Sequence, residues 1–410
     1  MAIIKAVSKM NDKPAATLAK RFEEPAAAAE APETPKKRER LFSLDFLRGA
    51  DMFLLSVLSG VIYAFDKCHP LPKAVMDQLD HPAWTGFTVF DMIMPLFIFM
   101  CGAALPLALD RRLDEDGRAG RKYWSHVAFR VALLWFFGMI SQGRIFTFDL
   151  HTISFFNNTL QTIACGYLIT AVVARIKSYK LQLAIPFLLA FGYTAFLHLC
   201  GDMTPTGNAA VVYEVKFLSL FYPDATWHPV KQIADWHYTW WTTIPMFGFM
   251  GLAGYHATKA LLVENWSKAK RAGVQSAAGL GLIALGLLFM TFDPCVKHIF
   301  TASFTFCAMG VSFLLYAGCY FVFDILCVRR GTWLISLFGR HSLAAYMIGD
   351  TIFGAVPATI ATIVLTEKGK PLVNGLSRFF ADQATYDLAH ILVRSAALVA
   401  ILMLFDRRRK

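Results

Sequence analysis

The residue types best suited to chemistry in this 410-residue chain crowd into one short block, Asp80-His81-Pro82-Ala83-Trp84-Thr85-Gly86-Phe87-Thr88-Val89-Phe90-Asp91. An imidazole takes or gives a proton near neutral pH, so His81 could deprotonate an incoming amine or hydroxyl. Asp91 could orient that ring or bind hydroxyl groups. The same block also fits an interfacial histidine beside an anchoring Trp84, and composition alone leaves both readings open. A second block, Ser43-Leu44-Asp45-Phe46-Leu47-Arg48-Gly49-Ala50-Asp51-Met52, places Asp45, Arg48 and Asp51 at three-residue steps. On a helix these share one side, as an ion pair that fixes packing or as working groups in an apolar setting.

Other candidates are spread along the chain. Asn157, Asn158 and Gln161 could hydrogen-bond a sugar or join helices, and Asp235, His237, Trp240 and Trp241 form a polar, aromatic stretch. Lys297 and His298 stand between two apolar runs, and Arg340, His341, Ser342 and Tyr346 give a later run a polar start. No HExxH, P-loop or GxSxG motif is present, and the eight cysteines show no zinc spacing, so no metal is expected. Cys68, Cys200 and Cys295 fall near the outer helix ends, where a disulfide is compatible with the sequence.

The elements that must position these residues are membrane helices. Hydrophobic residues make up 56% of the chain and charged ones 17%, with a mean hydropathy of +0.47. A soluble domain carries nearer a quarter charged residues, and the apolar runs here reach the roughly 20 residues a bilayer crossing needs. The spans expected are about 43–65, 87–109, 126–143, 158–174, 181–200, 239–262, 273–292, 299–327, 333–365 and 386–405. The ninth, with Gly339, Gly349, Gly354 and Pro357, is kinked or split, and Pro95 frees a carbonyl within the second.

The net charge of +11 lies in alternate connections, Arg111–Lys122, Arg175–Lys180, Lys259–Arg271 and Arg329–Arg330, and in Lys36–Arg40 and Arg407–Lys410. That distribution reports orientation and argues against a nucleic-acid partner. It predicts an all-α bundle of about ten crossings with both termini cytoplasmic. The 66–86, 201–238, 293–298 and 366–385 connections then lie outside. Residues 1–40, rich in Ala, Pro, Glu and Lys, read as a disordered cytoplasmic tail ahead of a 41–410 membrane domain.

The blocks Leu41–Met52, Asp80–Gly102 and Thr159-Leu160-Gln161 together resemble the bacterial relatives of heparan-α-glucosaminide N-acetyltransferase, within a wider group of transmembrane acyltransferases. Asp235 with Thr243-Ile244-Pro245, Lys297 with the TASF that follows it, and Gly339–Tyr346 add to the likeness. The resemblance implies an inner-membrane enzyme that takes acetyl groups from cytoplasmic acetyl-CoA. It would give them to the amino group of glucosamine, or of a glycan bearing it, on the far side. His81 matches the family's catalytic histidine, acting as base or as a covalent acetyl carrier, with Asp91 beside it. Ser59 stands where human-type members carry an Asn that assists that histidine, and Thr85, Thr162 and His341 also depart from the family pattern.

On this reading Trp84, Asp51, Gln161, Asn158, Asp235 and Lys297 bind the acceptor. Arg48, Asp45, Arg130, Arg112 and His341 hold the donor, with Arg111, Arg121 and Lys122 available for its phosphates. A homodimer is implied by the resemblance alone. A transporter for an amino sugar is the rival, and it would need binding residues at the midplane and usually an internal repeat.

Overall fold

The computed structural model describes residues 41–114, 116–141, 144–349, 353 and 382–408. The chain divides into two units, 1–40 and Leu41–Lys410, and every described residue belongs to the second. The expected tail, residues 350–352 and 354–365 of the expected ninth span with Gly354 and Pro357, and the 366–381 part of the last connection lie outside the described residues.

Among the described residues the secondary structure is helical. In chain order the helices are α1 (Phe42–Cys68), α2 (Phe90–Arg112), α3 (Arg121–Ser141), α4 (Thr159–Val173), α5 (Tyr179–Cys200), α6 (Ala209–Leu218) and α7 (His228–Trp236). They continue with α8 (Ile244–Leu261), α9 (Lys268–Phe289), α10 (Ala302–Ile325), α11 (Trp333–Arg340), α12 (Ser342–Tyr346) and α13 (Gln383–Arg407). Seven of these, α1, α2, α3, α5, α9, α10 and α13, are long and apolar enough to cross a membrane. This is the pattern of a multi-pass α-helical membrane protein.

Two expected spans, α4 and α8, are not among these: α4 is apolar but short, at 15 residues, and α8 sits inside the bundle. α8 packs on α2, α4 and α5, so its surface meets protein and can carry Gly248, Gly251, Gly254 and His256 in place of lipid-facing leucines. The backbones there nearly touch. A Cβ added at Gly102 of α2 would overlap the carbonyl oxygen of Gly251, and one at Gly254 would overlap that of Phe99. Burial sorts the rest: 72% of the apolar window of α2 is buried but only 17% of those of α9 and α13, which form the rim.

Local chemistry shifts the ends of several elements. Pro95 falls in the first turn of the regular helix starting at Ile93, where no intrahelical N–H is needed, so it frees no carbonyl; the interior proline is Pro106. The ninth run is broken at His341, between α11 and α12. α1 carries a π turn over Leu54–Leu58, a feature that often marks a functional stretch. The sequence allowed a disulfide among Cys68, Cys200 and Cys295, but all three are free thiols.

The connections gather at two ends of the bundle. At one end Gly86 N donates to Cys295 O at 2.9 Å, Thr239 N to His298 O at 3.0 Å, Trp84 Nε1 to Met203 O at 2.9 Å and His228 N to His151 O at 2.9 Å. At the other, Asp110 pairs with Arg175 at 3.2 Å and Lys259 at 3.3 Å, and Arg340 pairs with Asp406 at 2.8 Å. Asp324 accepts the backbone N–H groups of Phe42 and Ser43 at 3.2 and 3.0 Å, capping α1. The arginine- and lysine-rich connections all lie at this second end, while the His81 block and Lys297 lie at the first.

Candidate functional site

The turn between α1 and α2 brings His81 back over the start of α2. His81 Nδ1 lies 2.7 Å from Asp91 Oδ1. A carboxylate only accepts, so Nδ1 carries a proton, and in the neutral ring the lone pair then lies on Nε2. Asp91 is fully buried, and its other oxygen accepts the Thr88 N–H at 3.1 Å. Thr88 Oγ1 in turn donates to Asp80 O at 2.9 Å, so the turn that carries His81 is tied to the helix start that carries Asp91.

Lys297 completes the group from the connection between α9 and α10. Its Nζ lies 3.3 Å from Asp91 Oδ1 and 3.3 Å from each ring nitrogen of His81. Only 8% of Lys297 is exposed. Burial pulls its ammonium below the ordinary lysine range, while the Asp91 charge opposes that shift. The next residue, His298, is pushed down to about 4, first by burial and then by the charges of Lys297 and His81. It is therefore a neutral ring at physiological pH, facing Trp84 at 5.6 Å and Tyr238 at 5.7 Å.

These groups border a cavity of about 1200 Å³. His81, Lys297, His298, Tyr238 and Trp240 line its polar end, and Met52, Leu55, Phe97, Leu160, Ile163 and Leu343 line its apolar depth. Met52 stands ten residues into α1 from Phe42, so at 1.5 Å per residue the cavity reaches to about 15 Å from that helix end. The π turn in α1 lies at this depth, and its Leu55 faces the cavity.

One wall is held by a residue that the sequence reading passed over. Glu214, fully buried on α6, accepts the N–H groups of Trp240, Trp241 and Thr242 at 2.6, 2.9 and 3.1 Å, and the Thr242 hydroxyl at 2.9 Å. It thereby fixes the turn that presents Tyr238 and Trp240 to the cavity. Burial raises its carboxyl to about 7, against the pull of those donors. A lone carboxylate within the apolar run Ala209–Leu218 was the available signal.

The remaining expected acceptor residues divide. Asn158 caps α4, its side chain accepting the Gln161 N–H at 3.1 Å, and Gln161 Nε2 donates to Phe155 O at 2.6 Å. Neither lines the cavity, whereas their neighbour Asn157 does, with Oδ1 buried and without a partner among the described residues. Trp84 stands behind His298, and Asp235 is exposed and away from the cavity lining. Asp51 is buried one position before Met52, with one oxygen lacking a partner among the described residues. Ser59 donates back to Leu55 O at 3.0 Å and does not line the cavity, so the structure does not bring it to His81.

The five expected donor residues do not line the large cavity or form one pocket. Arg48 pairs with Asp45 at 3.7 Å, and His341 lies 3.4 Å from Asp406. Arg112 shares a second cavity of about 470 Å³ with Arg111, Lys122, Asp114 and Asp116. The guanidinium of Arg130 lies over the Tyr167 ring at 5.1 Å. No cluster of metal-ligating side chains occurs among the described residues.

Comparison with known proteins gives one family. The profile of DUF5009, described as a domain of unknown function, matches residues 40–271, more than half of the chain and the stretch that carries His81, Asp91 and Glu214. No curated protein matches.

Proposed function

The chain belongs to the DUF5009 family, and we propose that it is a transmembrane acetyltransferase. It moves acetyl from cytoplasmic acetyl-CoA to the amino group of glucosamine, or of a glycan bearing it, on the outer side of the inner membrane. About ten crossings then place both termini in the cytoplasm, as the charge distribution favours. One observation carries the reading: a buried carboxylate and a buried ammonium flank His81 at the polar end of a cavity that runs into the bundle.

The chemistry follows from that geometry. The acceptor is an ammonium ion at neutral pH and cannot attack until it loses a proton. His81 Nε2 takes that proton, and Asp91 holds the ring in the needed tautomer and stabilises the imidazolium. The freed amine attacks the thioester carbonyl, and the Lys297 ammonium stabilises the oxyanion that forms. Collapse breaks the C–S bond as the imidazolium gives its proton to the departing sulfur, and the neutral imidazole then takes the second proton from the acylated nitrogen and passes it to solvent, leaving an N-acetyl amide, coenzyme A and one released proton. The apolar depth of the cavity suits a thin pantetheine arm reaching from the inner end. Its nucleotide stays with the cations there, since passing its charges through lipid would be prohibitive.

The test is direct. Purified protein is incubated with radiolabelled acetyl-CoA and glucosamine. Labelled N-acetylglucosamine that disappears in His81→Ala supports the enzyme. Uptake of the amino sugar with no acetylation identifies the transporter and overturns the proposal.

A further inference from the structure

The rim beside the polar end of the cavity is built from large apolar side chains that the fold leaves uncovered. Phe148 is 84% exposed, Leu220 79%, and Leu150 and Trp236 66% each. Phe148 adopts a left-handed backbone, φ 54°, as does Arg144, φ 52°. That conformation is unfavourable for a phenylalanine, and no packing within the described chain rewards it. The rim is nonetheless one connected piece. His228 N donates to His151 O at 2.9 Å, the His151 and Trp227 rings lie 4.0 Å apart, and Phe155 N donates to Tyr222 Oη at 3.1 Å. On α3, Phe129 and Phe136 are likewise 65% and 52% exposed. Behind the apolar fringe, Arg144, Asp149 and His228 turn into the cavity.

Apolar and aromatic groups at the end of a membrane helix, with charged groups just behind them, are the arrangement of a surface seated among lipid headgroups. We propose that this mouth lies in the outer leaflet's interface, and that the acceptor it admits is a hexosamine carried on a membrane lipid. The lipid's chains stay in the bilayer against Phe148 and Leu150, while its amino sugar passes Trp236 to reach His81. This deepens the acetyl-transfer reading and rests on it.

The experiment uses the full chain in nanodiscs with acetyl-CoA and two acceptors, glucosaminyl-diacylglycerol and methyl glucosaminide. The lipid glycoside should be acetylated with a kcat/KM about tenfold or more above that of the methyl glycoside, because its anchor concentrates it at the mouth. The double substitution Phe148→Asp, Leu150→Asp should abolish that preference and leave the methyl glucosaminide rate unchanged. Equal use of both acceptors by the unaltered chain overturns the proposal, as does a double variant that loses both activities alike. If neither acceptor is labelled, acetyl transfer itself has failed, and binding to the His81→Ala protein decides the mouth separately. Native mass spectrometry showing retention of glucosaminyl-diacylglycerol but not of diacylglycerol supports the lipid-linked ligand; retention of neither, or of both equally, overturns it.

Discussion

Replacing Asp91 by Asn exchanges one carboxylate oxygen for an amide nitrogen and changes almost no volume, so it isolates what the buried charge does. The carboxylate accepts from His81 Nδ1 at 2.7 Å and from Thr88 N at 3.1 Å, and it pairs with Lys297 at 3.3 Å. An amide has one accepting oxygen. The backbone N–H of Thr88 cannot rotate away, so that oxygen turns to it, and the amide nitrogen faces Nδ1. Nδ1 must then accept, which moves the ring proton to Nε2 and removes the base. Lys297 at the same time loses its counter-ion while only 8% exposed. Breaking a buried pair in this way costs about 3–5 kcal/mol. That cost falls on stability; separately, loss of the general base should lower kcat by roughly two to four decades. The assay is single-turnover acetyl transfer in proteoliposomes, with thermal unfolding measured on the same preparation. Adding Lys297→Met should restore much of the lost melting temperature without restoring activity, because the orphaned charge is gone but the tautomer is still wrong. An Asp91→Asn protein with full activity, or a double variant no more stable than the single one, would refute this reasoning.

Three further outcomes follow from named contacts. Lys297→Met alone should lower kcat by about 10²-fold, as loss of one oxyanion donor does, with little change in KM for the acceptor; a rise in KM alone would make Lys297 a binding group instead. Glu214 is held near 7 when folded but titrates in the ordinary carboxylate range when unfolded. The folded chain therefore binds the extra proton between those values. The resulting stability is full below the unfolded pKa and is lost as pH rises through 7, a change on the order of 3 kcal/mol. Melting curves between pH 5 and 8 should show that decline, and Glu214→Gln should flatten it; parallel curves would exclude Glu214 as the source. Gly102→Leu should unfold the α2–α8 contact by driving a side chain into Gly251 O, seen as loss of monodisperse protein in detergent. A variant that melts like the parent would show that the helices can separate without cost.

Much of this architecture was legible because membrane helices announce themselves by length and apolarity. The helices of the bundle centre, α4 and α8, were legible too, but their status as crossings was not: α4 is short, and α8, packed on α2, α4 and α5, lacks the apolarity that lipid imposes on α9 and α13. At the site, His81 and Asp91 could be paired from one block because a single turn joins them. Lys297 lies 216 residues from His81, and only the fold sets them side by side. Asn158 and Asn157 could not be told apart by type; capping geometry took the first for the backbone of α4 and left the second facing the cavity. Ser59 was placed beside His81 by likeness alone, and its hydroxyl is spent on Leu55 O at the π turn. The apolar rim around Phe148 carried no periodic signal, since its segments belong to connections rather than to a helix face.

The central claim is that an imidazole at the outer end activates the acceptor amine for an acetyl group delivered from the inner end. It is tested most directly by proteoliposomes in which inward- and outward-facing orientations have been separated. Labelled acetyl-CoA is supplied only at the Arg111–Lys122 face and amino sugar only at the His81 face. The account predicts labelled product on the His81 side, with the vesicles still sealed to acetyl-CoA. Product formed only when both reactants share one face would contradict it.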